Sequence, residues 1–279
     1  MKDKVCMVTG ATSGIGLVTA QELASMGAKI VIVGRNSQKG EQIVAAIKEA
    51  TGNSHVELML ADLSEQSQIR KLVSDFKQRY DRLNVLVNNA GAMFLRRIIS
   101  PDGFEMTFAV NYLNYFLLTS LLLDVLKSSA PARIVNVASR SHEGKLLDFD
   151  DLQSEKKYQG MDVYGKSKLG NIYFTYELAR RLEGSNVTVN SLHPGFVATN
   201  MGTNNGWFVK LFWPLLGLFA VKPQEGARTS IYLASSPEVE GVSGKYFMEC
   251  KEVPSSSQSY DEDTARRLWQ ISEELTGMK

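Results

Sequence analysis

Short apolar segments alternate along the whole chain with longer amphipathic segments, and this alternation limits the possible folds more than any other feature. Val31–Val33 and Val85–Val87 are apolar at every position, as a strand covered on both faces requires. Strands are predicted at Val5–Thr9, Ile30–Gly34, Val56–Ala61, Val85–Asn88, Arg133–Ala138, Val187–Leu192 and Lys245–Met248. Helices are predicted at Ile15–Met26, Gln38–Ala50, Gln66–Tyr80, Phe104–Lys127, Asp162–Leu182 and Asp261–Leu275. The pattern predicts an α/β, doubly wound Rossmann fold, with a mostly parallel sheet of about seven strands and helices on both faces.

Composition agrees with one globular domain over all 279 residues. The hydrophobic fraction of 44% can build a sizeable core, and the net charge of +1 gives no reason to expect a nucleic-acid partner. Cys6 and Cys250 form neither a disulfide framework nor a metal site, and the histidines lack metal-ligand spacing. We therefore expect no metal and a cytoplasmic location. No uninterrupted apolar run reaches the roughly 20 residues of a transmembrane helix.

A glycine-rich turn, Thr9–Gly16, directly follows the first strand and opens the first helix. Gly10 allows the tight turn, Gly14 lets the backbone approach a pyrophosphate, and Gly16 lets helix and sheet pack closely. The helix N-terminus adds free N–H groups and the positive end of its dipole. An ordinary turn between strand and helix is the alternative. The favoured reading is a dinucleotide site made by Gly10, Thr12, Ser13, Gly14, Ile15 and Gly16.

Arg35 predicts which dinucleotide binds. No acidic residue stands at positions 34–37 to hold the ribose 2′-hydroxyl of NAD, whereas a guanidinium pairs with a 2′-phosphate. The sequence thus favours NADP(H) over NAD(H), with a solvated surface charge as the alternative. Further cofactor contacts are predicted where the third and fourth strands end, at Asp62, Leu63, Asn89, Ala90 and Gly91. Asp62 and the asparagines could equally serve as turn or capping residues.

Tyr164 and Lys168 stand four residues apart in a helical segment, so their side chains share one face. A nearby ammonium favours the phenolate, which would let Tyr164 exchange a proton with a substrate oxygen. Lys168 can also reach the ribose of the nicotinamide. Ser139 ends the fifth strand and can bond the same oxygen. Asn111, inside a helix, can bend that helix and hold a water molecule. Taken one at a time, Tyr164 and Lys168 also suit a pair of surface neighbours. Ser139 also suits a cap, and Asn111 a satisfied core amide.

These motifs, in this order, resemble the short-chain dehydrogenase/reductase family over about Lys4–Met248. The retinol dehydrogenase-like branch is indicated by Gly34-Arg35-Asn36, by Arg140-Ser141-His142 after Ser139, by the interval of 25 positions from Ser139 to Tyr164, and by Pro223–Ala227 followed by Gly241–Phe247. The resemblance implies a catalytic tetrad of Asn111, Ser139, Tyr164 and Lys168. It also implies that Tyr164, Lys168, Pro194, Gly195, Val197 and Thr199 contact the cofactor.

The resemblance further implies hydride transfer between NADP(H) and an apolar aldehyde or ketone, or the matching alcohol, with retinoid, lipid or aromatic carbonyls as candidates. Two positions depart from the branch: Ala138 stands where serine is common, and Tyr112 where histidine is frequent. A silent NADP-binding sensor or scaffold is one alternative. Other reductase chemistry, such as C=C reduction, dehydration or epimerisation, is another.

Trp207–Val221 is almost wholly apolar, and positions 200–222 are predicted to form a lid over the substrate. An oligomer interface, plain core packing or a peripheral membrane contact are the alternatives. Residues 252–279 are predicted to form a C-terminal helical extension. The sequence leaves open a homodimer or a homotetramer.

Overall fold

The computed structural model describes residues 1–195 and 222–279, and within them eight strands form one sheet. The strands are β1 (Val5–Thr9), β2 (Lys29–Gly34), β3 (Val56–Leu60), β4 (Val85–Asn88), β5 (Ala132–Val137), β6 (Val187–His193), β7 (Tyr246–Met248) and β8 (Lys251–Glu252). Their order is β3-β2-β1-β4-β5-β6-β7-β8, with β1 to β7 parallel and β8 antiparallel to β7. The order reverses between β1 and β4, where sheets of this kind bind ligands beyond the strand ends.

The predicted fold is confirmed, and the count of seven strands misses only β8. That strand has two exposed residues and exists because Lys251 and Glu252 pair with the end of β7. It has no apolar pattern of its own that a sequence could reveal.

Helices cover both faces of the sheet. They are α1 (Gly14–Ser25), α2 (Ser37–Thr51), α3 (Gln66–Arg79), α4 (Met106–Ser128), α5 (Gly160–Arg181), α6 (Pro223–Ser235) and α7 (Glu262–Thr276). One core cluster joins the sheet to α3, α4, α5 and α7, and a second joins it to α1, α2 and α6. Helix α6 was not predicted. Its buried face consists largely of small residues, Gly226, Ala227, Ser230 and Ala234, so its apolar periodicity is weak.

Helix α4 has 23 residues and a mean hydropathy of 1.4 in its most apolar window, which would suffice to cross a bilayer. A search for an uninterrupted apolar run misses it because Asn111, Asn114 and Asp124 interrupt the run. In the structure 67% of that window is buried. Its apolar side chains, among them Phe116 and Leu122, belong to the core cluster, and core packing explains their hydropathy.

The C-terminal helix α7 packs on α4 and α5. The ring of Trp269 lies 4.9 Å from that of Phe116 and 5.8 Å from that of Phe174, measured between centroids. The Arg181 guanidinium covers the same indole at 4.2 Å. The predicted helix is therefore present within one residue at each end, and it completes the core on this face of the sheet.

Candidate active site

The glycine-rich turn passes directly over the end of β4. Gly10 has a φ of +64°, in the left-handed region that favours glycine, and a Cβ there would lie 2.8 Å from the Cα of Ala90. A Cβ on Gly16 would lie 2.4 Å from Nδ2 of Asn89. Close approach between the turn and β4 thus requires glycine at both positions.

Asn89 ties this turn to the loop after β4. Its Nδ2 donates to the carbonyl of Thr9 at 2.8 Å, and its backbone N–H donates to Oγ1 of Thr9 at 2.9 Å. The backbone N–H of Ala90 donates to the same hydroxyl at 3.0 Å. Asn89 therefore holds the glycine-rich turn and the loop after β4 together.

The N-terminus of α1 is suited to an anion. Ser13 is the N-cap residue in extended conformation, yet its side chain makes no capping hydrogen bond, and the first turn carries no acidic residue. The hydroxyl and the first N–H groups of the helix are thus available to a phosphate. Together with the two close approaches of the turn, this fits the pyrophosphate of a dinucleotide.

The residues after β2 and β3 differ in whether their side chains are free to contact a cofactor. Arg35 is exposed and forms no ion pair with any described residue. Asp62 accepts from the backbone N–H of Ser64 at 3.0 Å and from its hydroxyl at 2.7 Å, so one carboxylate oxygen performs the turn role. Leu63 is buried in the core cluster.

The structure brings Ser139, Tyr164 and Lys168 together at the end of β5. The Ser139 hydroxyl lies beside the Tyr164 phenol, close enough to act on its pKa as a hydrogen-bonding group. Lys168 Nζ lies 5.7 Å from the centroid of the Tyr164 ring and donates to the carbonyl of Val137 at 2.9 Å. Ser139 also caps the short turn that follows β5, accepting from the backbone N–H of Ser141 at 3.2 Å. Its capping role and its place beside Tyr164 thus coexist.

Asn111 lies in a π-helical turn, Ala109–Leu113, inside α4. Its Nδ2 donates to the carbonyl of Ala92 at 2.9 Å and to Oγ of Ser167 at 3.0 Å, and its Oδ1 accepts from the N–H of Ala92 at 2.8 Å. The side chain is therefore a satisfied core amide that fixes the loop after β4 against α5. Gly91, in that loop, lies close enough that a Cβ would be 3.5 Å from Lys168 Nζ.

Burial controls the ionisation of the tyrosine and the lysine. Burial raises the pKa of Tyr164 to about 12, although the hydrogen bond with Ser139 acts to lower it. Burial also lowers the pKa of Lys168 to about 7. At neutral pH Tyr164 is therefore protonated, which suits a proton donor. Burial, and not the expected effect of the ammonium, sets the direction of the shift in the phenol pKa.

His142 is a positioning residue that the sequence reasoning missed. Its Nδ1 donates to the carbonyl of Ser139 at 2.7 Å, and its Nε2 accepts from the backbone N–H of Ser256 at 3.0 Å. The buried ring thus fixes the backbone of Ser139 to the C-terminal segment. The signal was present in Arg140-Ser141-His142, which had indicated only a resemblance.

The segment after β6 is described only in part. His193 Nδ1 accepts from the backbone N–H of Arg140 at 3.2 Å, so this histidine has a hydrogen-bonding role in the fold. Pro194 and Gly195 follow at the strand end. Val197, Thr199 and the predicted lid at Trp207–Val221 lie outside the described residues. Within 1–195 and 222–279, no group of histidine, cysteine and acidic side chains could hold a metal ion.

Comparison with known proteins agrees with this geometry. The family model for "short chain dehydrogenase" matches residues 4–207. Retinol dehydrogenase 14 of Homo sapiens is 45% identical over 295 aligned positions that cover 100% of this chain and 88% of that protein. Human polyprenol dehydrogenase is 44% identical, with 99% of this chain and 86% of that protein covered.

Two solved structures are similar in fold. An uncharacterised protein from Mycobacterium paratuberculosis has a TM-score of 0.81 and 31% identity, over 99% of this chain and 94% of that one. The Pseudomonas aeruginosa RhlG/NADP active-site complex has a TM-score of 0.71 and 25% identity, over 88% of this chain and 94% of that one.

Proposed function

The chain belongs to the short-chain dehydrogenase family, whose members bind a nicotinamide cofactor, and from this premise we propose that it is an NADP(H)-dependent oxidoreductase. Its reaction is hydride transfer between the nicotinamide and an apolar aldehyde or ketone, or the matching alcohol. One observation carries the proposal. The Ser139 hydroxyl, the Tyr164 phenol and the Lys168 ammonium meet at the strand ends, in the loop region that also receives the glycine-rich turn.

The cofactor would be held along the strand ends. The N-terminus of α1, with Thr12, Ser13 and Gly14, would bind the pyrophosphate, and Asp62 and Gly91 would line the adenosine and nicotinamide halves. Arg35 would pair with a 2′-phosphate, because it is exposed, lacks a described ionic partner and replaces the acid that NAD would need. When bound, the nicotinamide supplies the hydride in reduction and accepts it in oxidation.

The chain's own residues handle the proton. The hydroxyls of Ser139 and Tyr164 donate to the carbonyl oxygen and stabilise the charge that develops there. As the carbonyl carbon gains the hydride, the O–H bond of Tyr164 breaks and its proton passes to the oxygen, which gives the alcohol. Lys168 stabilises the phenolate that remains. In oxidation the same proton returns to Tyr164.

An apolar substrate is supported by the relatives, whose names refer to retinol and polyprenol. Both are long apolar alcohols. The apolar segment Trp207–Val221, predicted from the sequence to cover such a substrate, lies outside the described residues. Removal of this segment should raise KM for long-chain aldehydes more than KM for small ones, and an equal rise for both would contradict the lid.

The test is the loss of reduced-nicotinamide absorbance with NADPH or NADH, using retinal, medium-chain aldehydes and small aromatic carbonyls as substrates. We expect faster turnover with NADPH and with the apolar aldehydes. Tyr164→Phe should lower kcat by about 100-fold or more, the usual contribution of a general acid, while NADPH still binds. Full activity of that variant would overturn the proposed chemistry. NADPH binding without turnover of any substrate would favour the NADP-binding sensor.

A further inference from the structure

Helices α4 and α5 both follow parallel strands, so they run in the same direction and pack side by side on one face of the sheet. The hydrogen bond from Asn111 Nδ2 to Ser167 Oγ, at 3.0 Å, joins the two helices at one level. Every polar atom of the Asn111 side chain is hydrogen-bonded there. At this level, next to the active site, the Asn111 side chain has no polar atom left unpaired to bind water.

Two turns further along, a second level is also joined by hydrogen bonds. Asn88 on β4 donates to Thr119 on α4 at 2.9 Å and to Asn136 on β5 at 2.9 Å. Asn136 in turn donates to Thr175 on α5 at 2.9 Å. A continuous buried chain of side chains thus connects α4, the sheet and α5.

The level between these two carries Tyr115 on α4 and Asn171 on α5, each one turn beyond the upper pair. Both residues are fully buried, at 0% exposure. The Tyr115 hydroxyl and both side-chain polar atoms of Asn171 have no hydrogen-bond partner among the described residues. Exchanging the amide oxygen and nitrogen of Asn171 would not help, because both atoms are unpaired. Lys168 lies beside this level, with Nζ 5.5 Å from the centroid of the Tyr115 ring.

Unpaired buried polar atoms are expensive, at about 1–3 kcal/mol each, and native proteins satisfy nearly all of them. Buried water performs this task where a polar site offers two to four partners. We propose that the middle level binds ordered water through the Tyr115 hydroxyl and the Asn171 amide, and that Tyr115 thereby acts as a positioning residue for Lys168. The second part of the proposal rests on the proposed function, and the first does not.

Few groups near Lys168 other than Tyr115 could stabilise its ammonium. Among the described residues, the titratable groups facing its ammonium are Tyr164 on its own helix and Tyr115 on α4. From β5 it receives only the carbonyl of Val137, and the loop after β4 approaches it with Gly91. Water at Tyr115 would thus be a further polar contact for the ammonium. It would favour the charged form against the effect of burial.

The first test needs no substrate. Tyr115→Phe removes the hydroxyl and keeps the ring. Tyr112→Phe is the matched control, because the Tyr112 hydroxyl on the same helix bonds directly to Oγ of Ser272 at 2.7 Å. If water pairs with Tyr115, both variants should melt lower than wild type, by about 2 °C each for one lost hydrogen bond. An unchanged or higher Tm for Tyr115→Phe alone would overturn the proposal, since loss of an unpaired hydroxyl relieves its burial cost.

A crystal structure of the full chain tests the same point directly. Ordered water within hydrogen-bonding distance of Tyr115 Oη and of the Asn171 amide is expected. A level that is dry in well-defined density would overturn the proposal. Neither measurement depends on activity, so a failed search for a substrate would leave both decisive.

The second test addresses Lys168. In the enzyme, loss of this water should lower the pKa of Lys168 further, so Tyr115→Phe should shift the basic limb of the kcat–pH profile to lower pH by up to about one unit, a tenfold change in rate on that limb, with KM for the carbonyl unchanged. Tyr112→Phe should leave the profile in place. A Tyr115 variant whose kcat falls equally at every pH, or does not fall, would contradict the positioning role.

Discussion

At the scale of a single residue, Arg35 is the side chain on which the choice of cofactor is proposed to depend. Its exposure, its position after β2 and the absence of a described ionic partner leave its guanidinium available to a 2′-phosphate. Neither burial nor hydrogen bonding accounts for an arginine at position 35, whereas Asp62 caps its own turn. Selectivity between the two cofactors should therefore depend on this one charge more than on any packing.

We expect Arg35→Asp to shift the preference from NADPH towards NADH by 10-fold or more, since roughly 1.4 kcal/mol of lost phosphate pairing is a factor of ten. The ratio of kcat/KM for the two cofactors measures the shift. Arg79→Asp is the control, because Arg79 is also exposed but lies at the C-terminal end of α3, away from the strand ends that hold the cofactor, and pairs with Glu57 at 3.9 Å. An unchanged ratio in the Arg35 variant would show that another group recognises the phosphate.

At the scale of elements, the glycine-rich turn, α1 and the end of β4 are in close contact. A Cβ on Gly16 would meet Asn89 Nδ2 at 2.4 Å and the carbonyl oxygen of Gly10 at 2.7 Å. Asn89 cannot simply move away, because it holds the backbone of Thr9. Changes at Gly16 should therefore spread to the whole turn.

Gly16→Ala is expected to weaken NADPH binding by at least about tenfold and to lower Tm, since overpacking typically costs 1–3 kcal/mol. Gly40→Ala in α2 is the comparison: a Cβ there would also be crowded, but by the flexible side chain of Leu58 and away from the cofactor loops. We expect Gly40→Ala to leave the Kd for NADPH unchanged. Equal Kd values for wild type and Gly16→Ala, from titration of NADPH fluorescence, would contradict this account of the turn.

Elements also show where sequence patterns stop being informative. The six predicted helices and seven predicted strands are present because each buries enough apolar surface to produce a periodic pattern. Helix α6 buries small side chains and β8 buries none, so neither produces such a pattern. The π-helical turn around Asn111 depends on contacts with Ala92 and Ser167, which lie far from it in sequence.

For the whole molecule, two histidines link the active-site loop after β5 to other parts of the chain. His193 accepts from the backbone of Arg140, and His142 joins Ser139 to Ser256. Burial lowers the pKa of both rings, that of His193 to about 4, with the Arg140 charge adding to the effect. Both rings are therefore neutral in the folded protein at pH 7.

Stability should fall as the pH falls from about 6.5 towards 4. The unfolded chain, with a histidine pKa near 6.5, binds protons there that the folded chain does not, so the stabilisation is complete above pH 6.5 and lost below it. Melting curves from pH 8 to pH 4 measure the effect. His193→Asn keeps an acceptor for the N–H of Arg140 and should flatten the decline, whereas His55→Asn, at an exposed site, should not. Identical declines in all three proteins would contradict the role of His193.

The sequence alone determined the fold class and predicted the residues that are proposed to carry the chemistry. Apolar periodicity, the glycine spacing and the four-residue interval between Tyr164 and Lys168 are local properties, and each follows from backbone geometry. Tertiary structure decided what depends on residues distant in the chain. Burial raises the pKa of Tyr164, whereas the sequence had led us to expect a lowered one. Packing buries the Tyr115 hydroxyl and the Asn171 amide near Lys168 without hydrogen-bond partners among the described residues, and it places His142 between Ser139 and the C-terminal segment. Desolvation and hydrogen-bond satisfaction depend on the three-dimensional surroundings of a side chain, which a linear pattern does not contain.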